Sequence, residues 1–262
     1  MCEFHMISLK LFNFNRMKHL NQLSVKSYFI NRFGNLSTSF MFYQMQEIAW
    51  EHANILGFGY ERLKKENQFW VLSRLHIKIK RRPQWRESFQ LETWSRGTDG
   101  FYGYRDFNFT DSEGNNIIQA TSSWLILDQN TKRIVRLNNF KEFPEYHESL
   151  MGINPARLKP PQYDEKIIFS PVLFNEIDIN QHFNTGRYIE RITDSYSFDF
   201  HTAHEIAELE VNFLKEGMPE DRLAVKKQEV DEFTHICSVV RESDNANLII
   251  ARIVWRKRTN NY

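Results

Sequence analysis

Residues 174–190 read FNEIDINQHFNTGRYIE and set Asp178, Asn180 and His182 at every second position, just before Asn184 and a stretch with helical periodicity. On an extended segment side chains alternate between faces. This spacing therefore puts the three polar groups together, with Ile177, Ile179 and Phe183 on the opposite side. Asn184 is a good N-cap, and the first turn of a helix over about 184–199 would point unpaired backbone N–H groups toward the same region. An Asp, an Asn and a His beside amide donors can orient and deprotonate water, with the carboxylate as base or nucleophile and His182 polarising a carbonyl or shuttling a proton. Acyl transfer to water is the chemistry that fits. A plainer reading is that Asp178 and Asn180 form Asx-turns, His182 hydrogen-bonds locally and Asn184 merely caps. Spacing alone leaves both open.

A second polar point lies downstream. In ELEVNFLKEGMPED the alternating apolar residues make a strand, and Glu216 stands at its end beside Gly217, where a turn or bulge can direct the carboxylate toward the cluster. Around the motif the pattern predicts a short strand at 166–173, the helix, and strands near 206–215, 221–230, 232–241 and 246–256. The first half has the same order. A strand at about 24–31 precedes a long helix through FMFYQMQEIAWEHANIL, capped by Ser37, with Met41, Met45, Ile48, Ala49, His52, Ile55 and Leu56 at helical spacing and Gly57 as its stop. Strand-like stretches follow at 68–80, 87–96, 101–110, 116–127 and 133–137, separated by turns such as RGTDG and DSEGNN. Residues 138–165 hold Pro144, Pro155, Pro160 and Pro161 and read as a linker. The expected organisation is an extension over 1–20, one domain over 21–140, a linker over 141–164 and a second domain over 165–262. Each domain is expected to be an α+β unit in which an antiparallel sheet wraps a central helix.

Composition narrows the function. With 34 Lys plus Arg against 33 Asp plus Glu and a formal charge of +1, no bulk field favours nucleic acid. Cys2 and Cys237 fit neither a disulfide framework nor a zinc site, which points to a reducing compartment, the cytoplasm. No apolar run approaches the ~20 residues of a membrane span, and Glu3, His5, Lys10 and Arg16 break up the start too much for a signal-peptide core.

The second half resembles the double hotdog acyl-ACP thioesterases of plants and bacteria, whose motif runs D-x-N-x-H-x-N-N-x-x-Y and here reads Asp178, Asn180, His182, Asn184, Thr185 and Tyr188. YQMQEIAWEHANILGFG, FWVLSRLHIKIKRRPQW, YRDFNF and TSSWLILDQNTKRIVRL are similar to the family's N-terminal helix and strands in the same order, so the likeness runs over about residues 24–256. It implies a tandem hotdog fold, and hydrolysis of a fatty acyl thioester on acyl carrier protein in fatty acid biosynthesis. Asp178, Asn180, His182 and Glu216 would form the catalytic set, with no metal or organic cofactor. Plant members carry a Cys directly after the Glu, where this chain has Gly217. The second Asn of the family's pair is Thr185, and an aromatic usual after the Tyr is Arg191. The first half, RFGNLSTSFMFY, has no D-x-N-x-H of its own, which implies one active site per chain and an acyl-binding role for the first domain. Met41, Met45, Trp50, Phe69 and Trp85 are then candidate tunnel or core residues. Lys64, Lys65, Lys78, Lys80, Arg81 and Arg82 are candidates to meet an acidic carrier, or else a solvated strand edge. Acyl-CoA hydrolysis and a non-catalytic acyl-binding hotdog protein are the alternatives. A hydratase of this fold would resemble D-x-N-P-x-H, with the His one position further on. The tandem domains supply the pairing that single-copy relatives gain by dimerising, and a further homodimer is left open.

Overall fold

In a computed structural model of the chain, residues 18–139, 148–162 and 167–259 are described. Most of the expected extension, with Cys2, lies outside them. The first half runs β1 (Lys18–Ser24), α1 (Thr38–Ile55), α2 (Tyr60–Lys65), β2 (Gln68–Ile79), β3 (Ser88–Thr98), β4 (Gly103–Thr110), β5 (Asn116–Asp128) and β6 (Ile134–Val135). The second half runs β7 (Ser170–Pro171), α3 (Thr185–Asp194), α4 (Phe198–Ala203), β8 (His204–Phe213), β9 (Arg222–Glu229), β10 (Thr234–Arg241) and β11 (Asn247–Lys257). The chain divides into two compact units. One takes residues up to Leu36, Tyr43–Ser73 and Arg81–Asn154, and the other takes Ser37–Phe42, Arg74–Lys80 and residues from Pro155 onward.

In the first unit β1, β3, β4 and β5 pair antiparallel in that order, and β6 pairs with β5. Alternation dictates the inner face. In β3, Phe89 and Leu91 are buried while Gln90 is exposed and Glu92 only half-buried, as period-2 patterning requires. The DSEGN stretch closes the β4–β5 hairpin because the Asp111 carboxylate accepts from the amides of Glu113 and Asn115 and Gly114 takes φ +84°. Met45, Ile48, Ala49 and His52 of α1 are buried, but Ile55 is exposed, so the apolar stripe ends a turn before the helix does. His52 is wholly buried. The Arg105 guanidinium of β4 donates to its Nδ1 at 2.8 Å and to Thr93 Oγ1 at 3.1 Å, and desolvation pushes Arg105 down to about 10.

In the second unit Arg74–Lys78 of β2 pairs with β8, and the order continues through β11, β10 and β9 to β7, all antiparallel. Tyr188, Ile189 and Ile192 of α3 are buried, and the helix contacts β10. Both units are thus antiparallel sheets bearing a helix, the α+β hotdog arrangement expected from the sequence. Three boundaries differ. The first strand lies at 18–24, and residues 27–29 form a 3-10 turn. Of the strand expected over 166–173, only Ser170–Pro171 pairs among the described residues, 167–173. The single helix expected over 184–199 is two, because Ser197 starts a new cap by accepting from the Phe200 amide.

The expected linker is ordered where it is described. Residues 148–154 are held in the first unit: Trp94 Nε1 donates to Glu148 O, Leu150 N donates to Asp106 Oδ2 at 2.7 Å, and Arg96 binds Ile153 O and Asn154 Oδ1. In the second unit the buried amide of Asn212 accepts from Leu158 N at 2.8 Å and donates to Ala156 O at 2.9 Å. Asp106 has no exposed surface, and burial lifts its carboxyl above the ordinary value against the pull of Leu150, Thr121 and Arg96. Replacing it with Ala leaves the Leu150 amide without its acceptor and takes the buried carboxylate away from Arg96, which keeps Ile153 O and Asn154 Oδ1. We expect Asp106→Ala to cost about 3 kcal/mol, measurable as a lower urea midpoint with an unchanged m-value.

Candidate active site

Residues 177–183 are a tight turn, not the extended segment that alternation assumed. Ile177 and Phe183 bridge across it, Asp178 N donates to His182 O at 2.9 Å, and Gln181 N donates to Asp178 O at 3.0 Å. Asp178 Oδ1 accepts from Asn180 N at 2.8 Å and His182 N at 3.3 Å, which is an Asx-turn. The polar residues therefore do not share a strand face: Ile179 is 94% exposed, and Asn180 is exposed with it in the turn. Gln181 sits at φ +62°, a left-handed conformation that costs a non-glycine residue roughly 1 kcal/mol or more. What the turn achieves is to aim His182. Its Nε2 lies 3.3 Å from Glu216 Oε2, with both side chains part-exposed.

That meeting follows from the backbone. Phe183 N donates to Gly217 O at 2.8 Å, so the residues just before each, His182 and Glu216, face one another. Gly217 is needed there. A Cβ would lie 2.8 Å from Tyr188 Oη and 2.9 Å from Phe183 Cβ, so a cysteine at this position meets a wall. Cys237 is elsewhere, fully buried in β10, and burial pushes its thiol up to about 11. Asn184 caps α3 by accepting from Gly186 N at 2.9 Å, and Arg187 N donates to Asn184 O at 3.0 Å. These two first-turn amides are therefore spent on the cap, whereas the sequence suggested unpaired N–H groups pointing toward the cluster.

Arg191, in place of the family's aromatic, ties the approach to the turn. It donates to Glu176 Oε1 at 2.9 Å, Ser170 Oγ at 2.8 Å and Pro171 O at 2.8 Å. Glu176 in turn accepts from Leu173 N, while its backbone oxygen accepts from Asn184 N at 2.8 Å. Burial opposes ionisation of Glu176, but Arg191, the Leu173 amide and the charge of Arg187 outweigh it and hold the carboxyl below its ordinary value.

The first half builds the same turn from different residues. Ile30 bridges Leu36, Asn31 N donates to Asn35 O, Gly34 N donates to Asn31 O, and Asn31 Oδ1 accepts from Phe33 N at 3.0 Å and Asn35 N at 3.2 Å. Gly34 takes the left-handed position at φ +73° without strain. Leu36 N donates to Pro83 O at 2.9 Å, as Phe183 does to Gly217 O, and Ser37 Oγ caps α1 by accepting from Phe40 N. Asn35 and Arg82 stand where the second half has His182 and Glu216, and Arg82, itself buried, donates to Leu36 O.

Other candidates fall away from the site. Arg81 pairs with Glu87 and Asp111, each at 2.8 Å, and Arg82 is buried, whereas Lys64, Lys65, Lys78 and Lys80 are exposed. Met41 and Met45 are core residues, but Trp50 and Trp85 are half-exposed. His76, Glu208 and Glu210 gather side-chain ligand atoms within 4.8 Å, yet the Arg252 guanidinium donates to both carboxylates and already supplies the cation. Sequence reasoning missed the structural roles of Tyr188 and Arg191, which contact reveals and spacing does not.

Two family models divide the chain between them: the acyl-ACP thioesterase N-terminal domain over residues 16–143 and the acyl-ACP thioesterase C-terminal domain over residues 161–257. The chain belongs to the acyl-ACP thioesterase family. It is 26% identical to the chloroplastic oleoyl-acyl carrier protein thioesterase of Coriandrum sativum over 225 residues, covering 77% of this chain and 60% of the relative. It is 24% identical to oleoyl-acyl carrier protein thioesterase 2 of Arabidopsis thaliana, covering 82% of this chain and 70% of the relative. The chain thus spans about 60–70% of the length of these two. An acyl-ACP thioesterase structure from Bacteroides thetaiotaomicron shares the fold with TM-score 0.85 at 24% identity, covering 92% of this chain and 98% of that one. The 12:0-ACP thioesterase of Umbellularia californica does so with TM-score 0.80 at 19% identity, over 92% and 98% of the two chains. Within this family fold, the Glu176–Arg191 tie has a pH signature. A depressed carboxyl contributes stability above its unfolded value, near 4.5, and loses it as pH falls through the lower folded value. Glu176→Gln should therefore be less stable than the parent at pH 7, and the difference should shrink in denaturant titrations carried below about pH 4.5.

Proposed function

We propose that this protein hydrolyses the thioester joining a fatty acyl chain to acyl carrier protein, releasing free fatty acid and the carrier thiol in fatty acid biosynthesis. The observation that carries this reading is the His182–Glu216 pair, 3.3 Å apart at the start of α3, in a chain both of whose halves match the family. Water bound at His182 gives its proton to the imidazole, whose resulting charge the Glu216 carboxylate offsets, and the hydroxide adds to the thioester carbonyl. The tetrahedral species collapses with cleavage of the C–S bond, and the sulfur recovers the proton from His182. Asp178 shapes the turn that aims His182, and Asn180, exposed in that turn, is the amide an incoming thioester meets. With Gly217 in the cysteine position, the chemistry rests on carboxylate and imidazole. The second domain, 165–262, carries this site and the first, 21–140, takes the acyl chain. No helix among the described residues is long and apolar enough to cross a membrane. The free buried thiol of Cys237 supports a reducing compartment, and we place the reaction in the cytoplasm.

Hydrolysis of acyl-CoA by the same pair is the second reading, since the chemistry is unchanged and only the holder of the thiol differs. Thiol release from acyl carrier proteins loaded with several chain lengths, beside matched acyl-CoAs, separates the two. We expect turnover on the carrier substrates and a loss of about 10³-fold in kcat for His182→Ala. Preference for CoA would transfer the assignment to the second reading. No turnover on either, with acyl ligand still bound, would contradict hydrolysis altogether.

A further inference from the structure

We infer that Tyr188 is a positioning residue for the hydrolytic pair, its hydroxyl holding the Gly217 amide and so fixing Glu216 against His182. This deepens the thioesterase reading and rests on it. Both backbone groups of Gly217 are engaged by the motif side of the site: its carbonyl accepts from Phe183 N at 2.8 Å, and its N–H donates to Tyr188 Oη at 2.9 Å. The neighbouring backbone is fixed as well. Leu214 N and Lys215 N both reach Leu248 O, Arg241 donates to Glu216 O, and Met218 N donates to Asp221 Oδ2. The side chain of Glu216 projects from the segment just after β8, which has little backbone freedom left.

Tyr188 is placed for this by the helix start. With Asn184 as N-cap, Phe183 is N′ and Tyr188 is N4, the positions of a hydrophobic staple. Their rings meet edge to face at 4.5 Å. The staple alone needs only the ring, so the hydroxyl has a separate job. Gly217 is buried, and an unpaired N–H there would cost about 1–3 kcal/mol. Burial pushes the Tyr188 hydroxyl well up, so it stays neutral as an acceptor.

The first half supplies an internal comparison. At the position matching Gly217 it has Pro83, which has no N–H to satisfy, and at the N4 position of α1 it has Met41, which has no oxygen to offer. Donor and acceptor are absent together in the copy lacking His and Glu, and present together in the copy that has them. An ordinary packing role for Tyr188 would not couple the two positions.

The test is Tyr188→Phe, which keeps the staple ring and removes one oxygen. We expect kcat to fall about tenfold with KM within about twofold, and Tyr188→Phe to add no further loss in a Glu216→Gln background. A tenfold loss that persists in that background would overturn the inference, as would unchanged kcat beside an intact Glu216. The underlying reading fails separately, if Glu216→Gln alone leaves turnover unchanged. A readout independent of turnover is the His182 ring resonance in NMR. Tyr188→Phe should move it in the direction that Glu216→Gln moves it, and a resonance unmoved by Tyr188→Phe would also overturn the inference.

Discussion

One backbone hydrogen bond organises the site: Phe183 N to Gly217 O, 2.8 Å. It joins the turn before a helix to the segment that follows a strand, more than thirty residues later in the chain. The two side chains of the proposed hydrolytic pair are each one residue away from it. His182 precedes the donor, Glu216 precedes the acceptor, and the side chains meet because the backbones are in register. Strand ends and helix starts are well suited to this work, since each has unpaired backbone groups that must find partners. Here they find each other, and they carry His182 and Glu216 along.

The same bond occurs in the first half between Leu36 and Pro83, with the same Asx-type turn in front of it. The scaffold is therefore independent of the chemistry. Asn31 builds the turn as Asp178 does, and the left-handed position is a relaxed Gly34 in one copy and a strained Gln181 in the other. Where the first half uses Arg82 to bind its own backbone, the second leaves Glu216 facing a histidine. Of the two turns, the one with a non-glycine residue at its left-handed position is in the copy that carries the proposed function.

Much of this was legible in the sequence. Period-2 runs such as SFQLETW and the apolar turns of IIARIVW marked strands whose buried faces could be read directly, and Ser37 and Asn184 marked helix starts that the structure keeps. The order of elements, repeated in each half, gave the α+β reading. The face assignment at Asp178, Asn180 and His182 failed because alternation assumes an extended chain, whereas the Asp178 side chain captures two amides and folds the segment into a turn. The break between α3 and α4 was hidden because Ser197 could as well sit inside a helix as cap a new one. Glu216 could be suspected from its place at a strand end, but its pairing with His182 depends on a long-range bond. The linker read as loose from its prolines, yet Asp106, Arg96 and Asn212 hold its backbone through contacts no local pattern encodes.

The central claim is that His182 and Glu216 act as one unit because the backbone register holds them together. A double-mutant cycle on thioester hydrolysis tests it most directly, comparing kcat for His182→Ala, Glu216→Gln and the pair. Strong non-additivity is expected, with the double variant no slower than His182→Ala alone. Losses that simply multiply would contradict it, and would mean that the two side chains serve the reaction separately.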